Sequence, residues 1–173
     1  MNKNHRKHIA LIGLPNSGKS TLGKLLAQAL KRTWLDSDHC FEEESGEKIA
    51  DLFARGEEPR FRQWERHWLE SLAQQPPAVI STGGGLPCQP GALDLLKACA
   101  FTIYLQVDLN LIKSRLMASR HPLLLSRRPE AFEALVQTRL LIYAQADYTL
   151  QTQGTPEELL KTLLALKGNG SGF

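Results

Sequence analysis

The strongest constraint on the fold of this chain is a glycine-rich octapeptide near its start, with the spacing G-x-x-x-x-G-K-[ST]. Its residues are Gly13, Leu14, Pro15, Asn16, Ser17, Gly18, Lys19 and Ser20. This spacing is typical of a phosphate-binding loop that joins a β-strand to an α-helix. Residues 8–12 predict the strand, and the apolar spacing of residues 19–30 predicts the helix. The motif therefore stands in the context that such a loop requires.

The chemistry of this loop favours a nucleoside triphosphate. Its glycines allow successive backbone N–H groups to point at phosphate oxygens, and the N-terminus of the following helix favours negative charge. We expect Lys19 to bridge the β- and γ-phosphates, the Ser20 hydroxyl to hold Mg²⁺, and Thr21 to support the turn. A chance glycine-rich turn is the alternative, which the flanking strand and helix disfavour. The sequence thus predicts binding of ATP or GTP.

The composition favours one globular domain over residues 1–173. The chain is 42% hydrophobic and 23% charged, with a formal net charge of +3, which permits a core and disfavours disorder. The mild positive charge suits anionic ligands and is too weak to indicate nucleic-acid binding. We expect a monomer, with a flexible tail over residues 168–173.

The cysteines and the first residues bear on the compartment. Cys40, Cys88 and Cys99 lack the paired spacing of zinc or redox sites, so we expect free thiols in a reducing environment. The apolar run at residues 9–14 is too short for a signal sequence or a membrane span. We therefore expect a cytoplasmic protein without membrane contact, and we interpret the basic residues 5–8 as a solvated end.

Short apolar runs alternate with longer stretches of helical period along the chain, as in a parallel sheet covered by helices. Strands are predicted over residues 8–12, 33–36, 78–81, 101–107 and 148–151. Helices are predicted over residues 19–30, 47–54, 59–72, 91–98, 109–119, 130–146 and 156–166. The predicted fold class is α/β, a three-layer sandwich with a five-stranded parallel sheet. The arginine- and proline-rich segment 120–130 is predicted to be a mobile lid.

Two carboxylates, Asp36 and Asp38, lie at the end of the second predicted strand. Ligands of doubly wound sheets bind at the carboxyl ends of the strands. One carboxylate is suited to hold a metal-bound water, and the other to accept a proton from an acceptor hydroxyl. The alternative is that Asp38 caps a helix N-terminus.

Arg62 and Glu65 lie one helical turn apart, in the segment F-R-x-x-E. A guanidinium oriented by a carboxylate forms a rigid fork for the carboxylate of a ligand. The alternative is a surface ion pair of little energetic weight.

Three glycines, Gly83, Gly84 and Gly85, follow the third predicted strand. They either allow backbone amides to approach an anionic ligand closely or form a loop that needs positive φ. Further arginines surround the predicted lid, and some are expected to neutralise charge on a transferring phosphoryl group. They are Arg115, Arg120, Arg127, Arg128 and Arg139.

In this fixed order, the motifs resemble those of the shikimate kinases over residues 9–166. The series is G-x-x-x-x-G-K-S-T, D-S-D, F-R-x-x-E, G-G-G, P-L-L and R-x-x-x-Y. The resemblance implies a P-loop kinase fold and ATP-dependent phosphorylation of the 3-hydroxyl of shikimate, in the pathway to chorismate and the aromatic amino acids.

The same resemblance implies roles for the acidic residues and for the nucleotide side. Ser20 would hold Mg²⁺ directly and Asp36 through water. Asp38 would hold the reacting hydroxyl and serve as its base. Arg115 would stack on adenine.

For the acceptor, the resemblance implies that Arg62 and Arg139 grip the carboxylate of shikimate from two sides. Glu65 would steady Arg62, and the amides of residues 83–85 would contact the ring hydroxyls.

The chain departs from the family pattern in the lid, where His121 replaces the arginine that precedes Pro-Leu-Leu and Arg120 lies one residue earlier. We favour Arg120 as the catalytic arginine after a one-residue shift, because Pro122 restricts the chain beside His121. The alternative is that His121 makes the contact. At the level of function, the alternatives are a gluconate-kinase-like enzyme and a non-catalytic nucleotide-binding module.

Overall fold

The computed structural model describes residues 6–118 and 129–168, whose centre is a parallel sheet. Its strands are β1 (His8–Ile12), β2 (Thr33–Asp36), β3 (Ala78–Ser81), β4 (Ala100–Gln106) and β5 (Tyr148–Gln151). The five strands lie in the order β2-β3-β1-β4-β5, and every neighbouring pair is parallel. The predicted strand bounds are confirmed except for β4, which begins and ends one residue earlier than predicted.

Eight α-helices surround the sheet in the part of the chain that is described. They are α1 (Lys19–Leu30), α2 (Ser37–Ser45), α3 (Ile49–Ala54), α4 (Glu58–Ser71), α5 (Ala92–Cys99), α6 (Leu109–Ala118), α7 (Pro129–Tyr143) and α8 (Pro156–Gly168). Short 3₁₀ turns follow α4 at Leu72–Gln74 and β3 at Leu86–Cys88. Among the helices described, none combines the length and the apolar character that a bilayer crossing requires.

Helix α2 is absent from the helices predicted from the sequence, where a helix after Asp38 appeared only as an alternative interpretation of that residue. Its nine residues form no long apolar stripe, and within it only Ser37 and Phe41 are buried. The helix begins because the side chain of Asp36 accepts hydrogen bonds from the first free amides, those of Asp38 and His39. Helix α3 begins at Ile49, two residues after the predicted start at residue 47.

Successive side chains of β1 point to opposite faces of the sheet, and the core has one part on each face. Ile9 and Leu11 pack with side chains of α1 and α8, whereas Ala10 and Ile12 pack with side chains of α4, α5, α6 and α7. Each large apolar side chain that is removed from water in this way contributes about 1.5–3 kcal/mol before conformational entropy is subtracted. The predicted three-layer sandwich is therefore confirmed.

A small aromatic cluster joins α2, α3 and α4. It contains the buried residues Phe41, Leu52 and Phe61, and the rings of Phe41 and Phe61 meet edge to face with centroids 4.9 Å apart. Edge-to-face contact of this kind is a favoured arrangement of aromatic rings. The cluster fixes α4, and so the position of Arg62, beside the end of β2.

The interpretation of residues 5–8 as a solvated end is wrong for Arg6 and His8. His8 is fully buried; its Nδ1 accepts a hydrogen bond from the amide of Ala78 at 3.2 Å, and its Nε2 lies 2.8 Å from the carbonyl of Leu72. With Nδ1 accepting, Nε2 carries the proton and donates. Arg6 pairs with Asp147 at 2.7 Å. The basic residues thus fasten the start of the sheet.

Candidate active site

The phosphate-binding loop lies at the carboxyl end of β1, the middle strand of the sheet. Gly13 and Gly18 have φ values of 145° and 92°, which disfavour any side chain. A Cβ on Gly13 would also lie 2.9 Å from the carbonyl oxygen of Leu105. The loop therefore needs glycine at both fixed positions of the motif.

Lys19 is buried at the base of this loop. Its Nζ donates to the carbonyls of Gly13 at 3.0 Å and Leu14 at 2.7 Å, and to Ser17 Oγ at 3.3 Å. Burial lowers the pKa of Lys19 to about 8, against the opposing effect of the carboxylates of Asp38 and Asp36. The ammonium is thus held on the inner side of the loop, near the two acidic residues at the end of β2.

Asp36 and Ser20 form an oxygen pair beside the loop. Ser20 Oγ donates to Asp36 Oδ2 at 2.6 Å, while Asp36 Oδ1 accepts from the amides of Asp38 at 3.2 Å and His39 at 3.4 Å. The capping carboxylate is therefore Asp36, and the alternative that Asp38 caps the helix is wrong.

The donor set of this pair fits Mg²⁺. Magnesium prefers hard oxygen ligands and is usually held by one or two carboxylates together with substrate phosphates and water. Within residues 6–118 and 129–168, no group of three or more His, Cys, Asp and Glu side chains is arranged to hold a metal ion. The hydroxyl–carboxylate pair of Ser20 and Asp36 is thus suited to a metal that the nucleotide itself helps to bind.

Asp38 lies near Lys19 in a site largely withdrawn from water. Burial, followed by the negative charge of Asp36, raises its pKa to about 6, although Lys19 acts in the opposite direction. Ser37 Oγ lies 3.4 Å from Asp38 Oδ1, and a Cβ on Gly83 would collide with the Asp38 carboxylate. The pKa of Asp38 therefore lies close to neutral pH, which suits a group that accepts a proton at that pH.

Arg62 and Glu65 form an ion pair whose carboxylate is fully buried and whose guanidinium is partly buried, so the alternative of a surface ion pair is wrong. Glu65 has no exposed side-chain surface, and its Oε2 accepts from Arg62 Nη1 at 2.7 Å. Gln89 donates to the same oxygen at 2.6 Å. Burial raises the pKa of Glu65 to about 7, against the charge of Arg62. Glu58 accepts from Nε and Nη2 of Arg62 at 3.0 and 2.7 Å.

The three glycines after β3 are needed for close approach and not for positive φ, since none of them has a positive φ. Each would place a Cβ against a different part of the site. The neighbours are Asp38 for Gly83, Pro15 for Gly84 and the guanidinium of Arg62 for Gly85. This tripeptide therefore brings the phosphate loop, the acidic residue and the arginine into one compact site.

Arg139 reaches the same region from α7, since its charge acts on the thiol of Cys88 together with the charges of Arg62 and Glu65. Its side chain is buried, with 8% of its surface exposed. Among the described residues, Arg139 Nε and Glu65 Oε1 are the buried side-chain polar atoms without a hydrogen-bond partner. Buried polar atoms are nearly always paired in proteins, so two exceptions in one region point to a ligand site.

A cleft of about 780 Å³ lies on the other side of the phosphate loop. Its wall includes residues 16–22 and Arg115, together with Thr152, Gly154, Pro156 and Leu159. Arg115 Nη1 donates to the carbonyl of Asn16 at 3.1 Å. Arg115 therefore forms part of the cleft wall directly beside the phosphate loop.

The structure places most of the predicted site residues around this loop. Arg120, His121, Arg127, Arg128 and most of the predicted lid lie outside the described residues. Residues 129 and 130, at the end of the predicted lid, belong to α7. The sequence analysis assigned no role to Glu58, Gln89 or Tyr143, although Tyr143 ends the R-x-x-x-Y motif and Glu58 lies one helical turn before Arg62. The contacts of Gln89 and Tyr143 join residues distant in sequence and depend on the fold.

Comparisons with known proteins agree on one family. A family model described as shikimate kinase matches residues 15–166. A shikimate kinase of Sulfurihydrogenibium sp. is 35% identical over 159 residues, 91% of this chain and 96% of the relative. A shikimate kinase from Acinetobacter baumannii, solved in complex with shikimate, is 33% identical with a TM-score of 0.85, and the match covers 94% of this chain and 93% of that one. A gluconokinase from Sinorhizobium meliloti is 17% identical with a TM-score of 0.58, a likeness of fold alone.

Proposed function

Because this chain belongs to the shikimate kinase family and is a phosphotransferase, we propose that its site transfers the γ-phosphoryl group of ATP to the 3-hydroxyl of shikimate. One observation carries the assignment of the residues. Residues 83–85 pack directly on Asp38, on Pro15 of the phosphate loop and on the guanidinium of Arg62. A proton acceptor, a phosphate-binding loop and a carboxylate-binding arginine therefore share one short segment.

The acceptor is held through its carboxylate by Arg62 and Arg139. Two guanidinium groups offer several N–H donors in a planar arrangement that matches a carboxylate. The support for Arg139 is its burial and its unpaired Nε. The support for Arg62 is that Glu65 and Glu58 hold it on two sides, at 2.7 Å each. A rigid guanidinium loses less conformational entropy when the ligand binds.

The nucleotide is held by residues 13–21, and Arg115 stacks on its adenine ring. Ser20 and Asp36 would hold Mg²⁺, which supplies charge neutralisation on the phosphates. The amides of the loop and the positive end of α1 hold the phosphate oxygens. Lys19 provides a positive charge at the inner side of the loop and stabilises the negative charge that develops during transfer.

Asp38 orients the acceptor hydroxyl and takes its proton as the new P–O bond forms. A pKa of about 6 leaves this carboxylate mostly ionised at neutral pH and still basic enough to accept a proton. The nearby positive charge of Lys19 favours the ionised form. In the lid, Arg120 is proposed to contact the γ-phosphoryl group.

We expect the enzyme to act as a cytoplasmic monomer. All groups of the proposed site come from one chain, so the chemistry needs no second subunit. Cys40, Cys88 and Cys99 are free thiols, which suits a reducing compartment. Gel filtration at assay concentration is expected to give the mass of one chain.

The test is ADP release in a coupled assay with ATP, Mg²⁺ and a panel of acceptors. We expect release that depends on shikimate, with little or none on gluconate or on the methyl ester of shikimate, which lacks the carboxylate. ADP release without any acceptor, or release driven equally by gluconate, would contradict the proposal.

A matched pair of variants tests the carboxylate contact. Arg62→Lys is expected to raise the KM for shikimate, since one ammonium cannot make the paired contact of a guanidinium. Arg66→Lys is the control, because Arg66 lies on the same helix and pairs at the surface with Glu70 at 3.1 Å. Equal effects of the two substitutions would remove Arg62 from the site.

A further inference from the structure

The hydroxyl of Tyr143 reaches the middle of the triple-glycine segment. Tyr143 is fully buried at the end of α7, and its hydroxyl donates a hydrogen bond to the carbonyl oxygen of Gly84. Gly84 is itself held from the other side, since a Cβ there would lie 2.8 Å from Cδ and 3.3 Å from N of Pro15. The segment is thus fixed between α7 and the phosphate loop.

Tyr143 also lies one helical turn after Arg139. Residues separated by four positions lie on the same face of a helix, so the hydrogen bond to Gly84 is made from the face of α7 that carries Arg139. The neighbours of Gly84 in sequence are Gly83, which packs on Asp38, and Gly85, which packs on Arg62. One hydrogen bond therefore links α7, which carries Arg139, to the glycine segment that packs on Asp38 and Arg62.

We propose that Tyr143 is a positioning residue of the acceptor pocket, whose hydroxyl sets the place of Arg139 relative to Arg62 and Asp38. The inference rests on the proposed function, because it takes these three groups as the acceptor site. Tyr143 acts through Gly84 and is not assigned any contact with the acceptor.

The hydroxyl, and not only the ring, is needed for this role. Burial raises the pKa of Tyr143 well above its usual value, so the hydroxyl remains a donor at any working pH. Within residues 6–118 and 129–168, the thiol of Cys88 also lies near this carbonyl, with its Sγ 3.8 Å from Gly84 O. A thiol is a weak donor and cannot replace the phenol.

The test is Tyr143→Phe with Tyr104→Phe as the matched control. The rings of Tyr104 and Tyr143 lie 5.4 Å apart in the same core cluster, so both substitutions remove one hydroxyl from neighbouring buried rings. For Tyr143→Phe we expect the KM for shikimate to rise about tenfold, the effect of one lost buried hydrogen bond. The KM for ATP is expected to stay within about twofold in both variants, and Tyr104→Phe is expected to keep the wild-type KM for shikimate. A merely structural role would lower the thermal midpoint without this selective change, and that result would overturn the inference.

A second measurement needs no substrate and separates this inference from the proposed function. The amide of Leu86 donates to the carbonyl of Gly83 at 3.2 Å, and its hydrogen exchange in the free protein reports how firmly the segment is held. We expect exchange at least about tenfold faster in Tyr143→Phe, and unchanged in Tyr104→Phe. Unchanged exchange in Tyr143→Phe would overturn the inference, whichever acid the wild-type enzyme phosphorylates. Failure of the wild type to use shikimate would instead contradict the proposed function.

Discussion

Replacement of Gly85 by alanine tests how closely the glycine segment and Arg62 fit together. The added methyl group would lie 2.9 Å from Nη1 and 3.0 Å from Nη2 of Arg62. Because unstrained contacts of this kind lie near about 3.5 Å, the guanidinium must move by about 0.5 Å. Glu65 and Glu58 hold Arg62 at 2.7 Å on two sides, so it cannot move without disturbing an ion pair.

The expected cost is about one charge-assisted hydrogen bond to the acceptor. Such a bond contributes about 1.5–3 kcal/mol, and each 1.36 kcal/mol is a factor of ten. The KM for shikimate in Gly85→Ala is therefore expected to rise about 10- to 150-fold. The KM for ATP is expected to change little, since residue 85 packs on Arg62 and not on the phosphate loop.

The assay is steady-state ADP release with shikimate and ATP varied in turn. Gly84→Ala is the contrasting variant, because its methyl group would collide with Pro15 of the phosphate loop and is expected to raise the KM for ATP. A folded Gly85→Ala enzyme with a wild-type KM for shikimate would refute the reasoning. So would equal increases in both KM values.

Three further predictions concern the proton, the metal and acid stability. In wild type, kcat/KM is expected to fall about tenfold per pH unit below the pKa of Asp38, about 6, and to fall again above the pKa of Lys19, about 8. Asp38→Asn should lose about 100-fold or more in kcat, and an acid limb of the wild-type profile centred near pH 4 would contradict the raised pKa. Ser20→Ala is expected to raise the Mg²⁺ concentration needed for half-maximal rate about tenfold, and an unchanged Mg²⁺ titration would remove this hydroxyl from the metal site. Burial lowers the pKa of His8 in the folded chain below its usual value of 6.5. The unfolded chain therefore binds more protons below about pH 6.5, and the free energy of unfolding falls as the pH drops. Urea midpoints of wild type and His8→Gln at pH 7.5 and 5 check this, since wild type should lose more stability than the variant.

Local patterns were sufficient to predict the phosphate loop and most of the sheet. The strands β1, β2, β3 and β5 have the predicted bounds because each is a short apolar or β-branched run that ends in a turn. Helix α2 could not be predicted in this way, because its start depends on the side chain of Asp36 and its packing on the single buried ring of Phe41. An apolar stripe is visible in the sequence itself, whereas a helix cap depends on the position of one side chain.

The site shows the same division between local and distant information. The spacing of Arg62 and Glu65 predicted the pair, but not the complete burial of Glu65, which excludes a surface ion pair. The contact of Gln89 with Glu65 spans 24 positions, and that of Tyr143 with Gly84 spans 59. No local pattern indicates such contacts, since they exist only after α4 and α7 pack beside the segment that follows β3.

The most direct test of the central claim is the identity of the product. Wild-type enzyme incubated with ATP, Mg²⁺ and shikimate is followed by phosphorus and proton NMR, with Lys19→Ala as the inactive control. The proposed chemistry predicts one new phosphomonoester, coupled to the proton on carbon 3 of shikimate and formed in equal amount with ADP. ADP that accumulates without a phosphorylated acid, a phosphate on a different hydroxyl, or the same product from Lys19→Ala would contradict it.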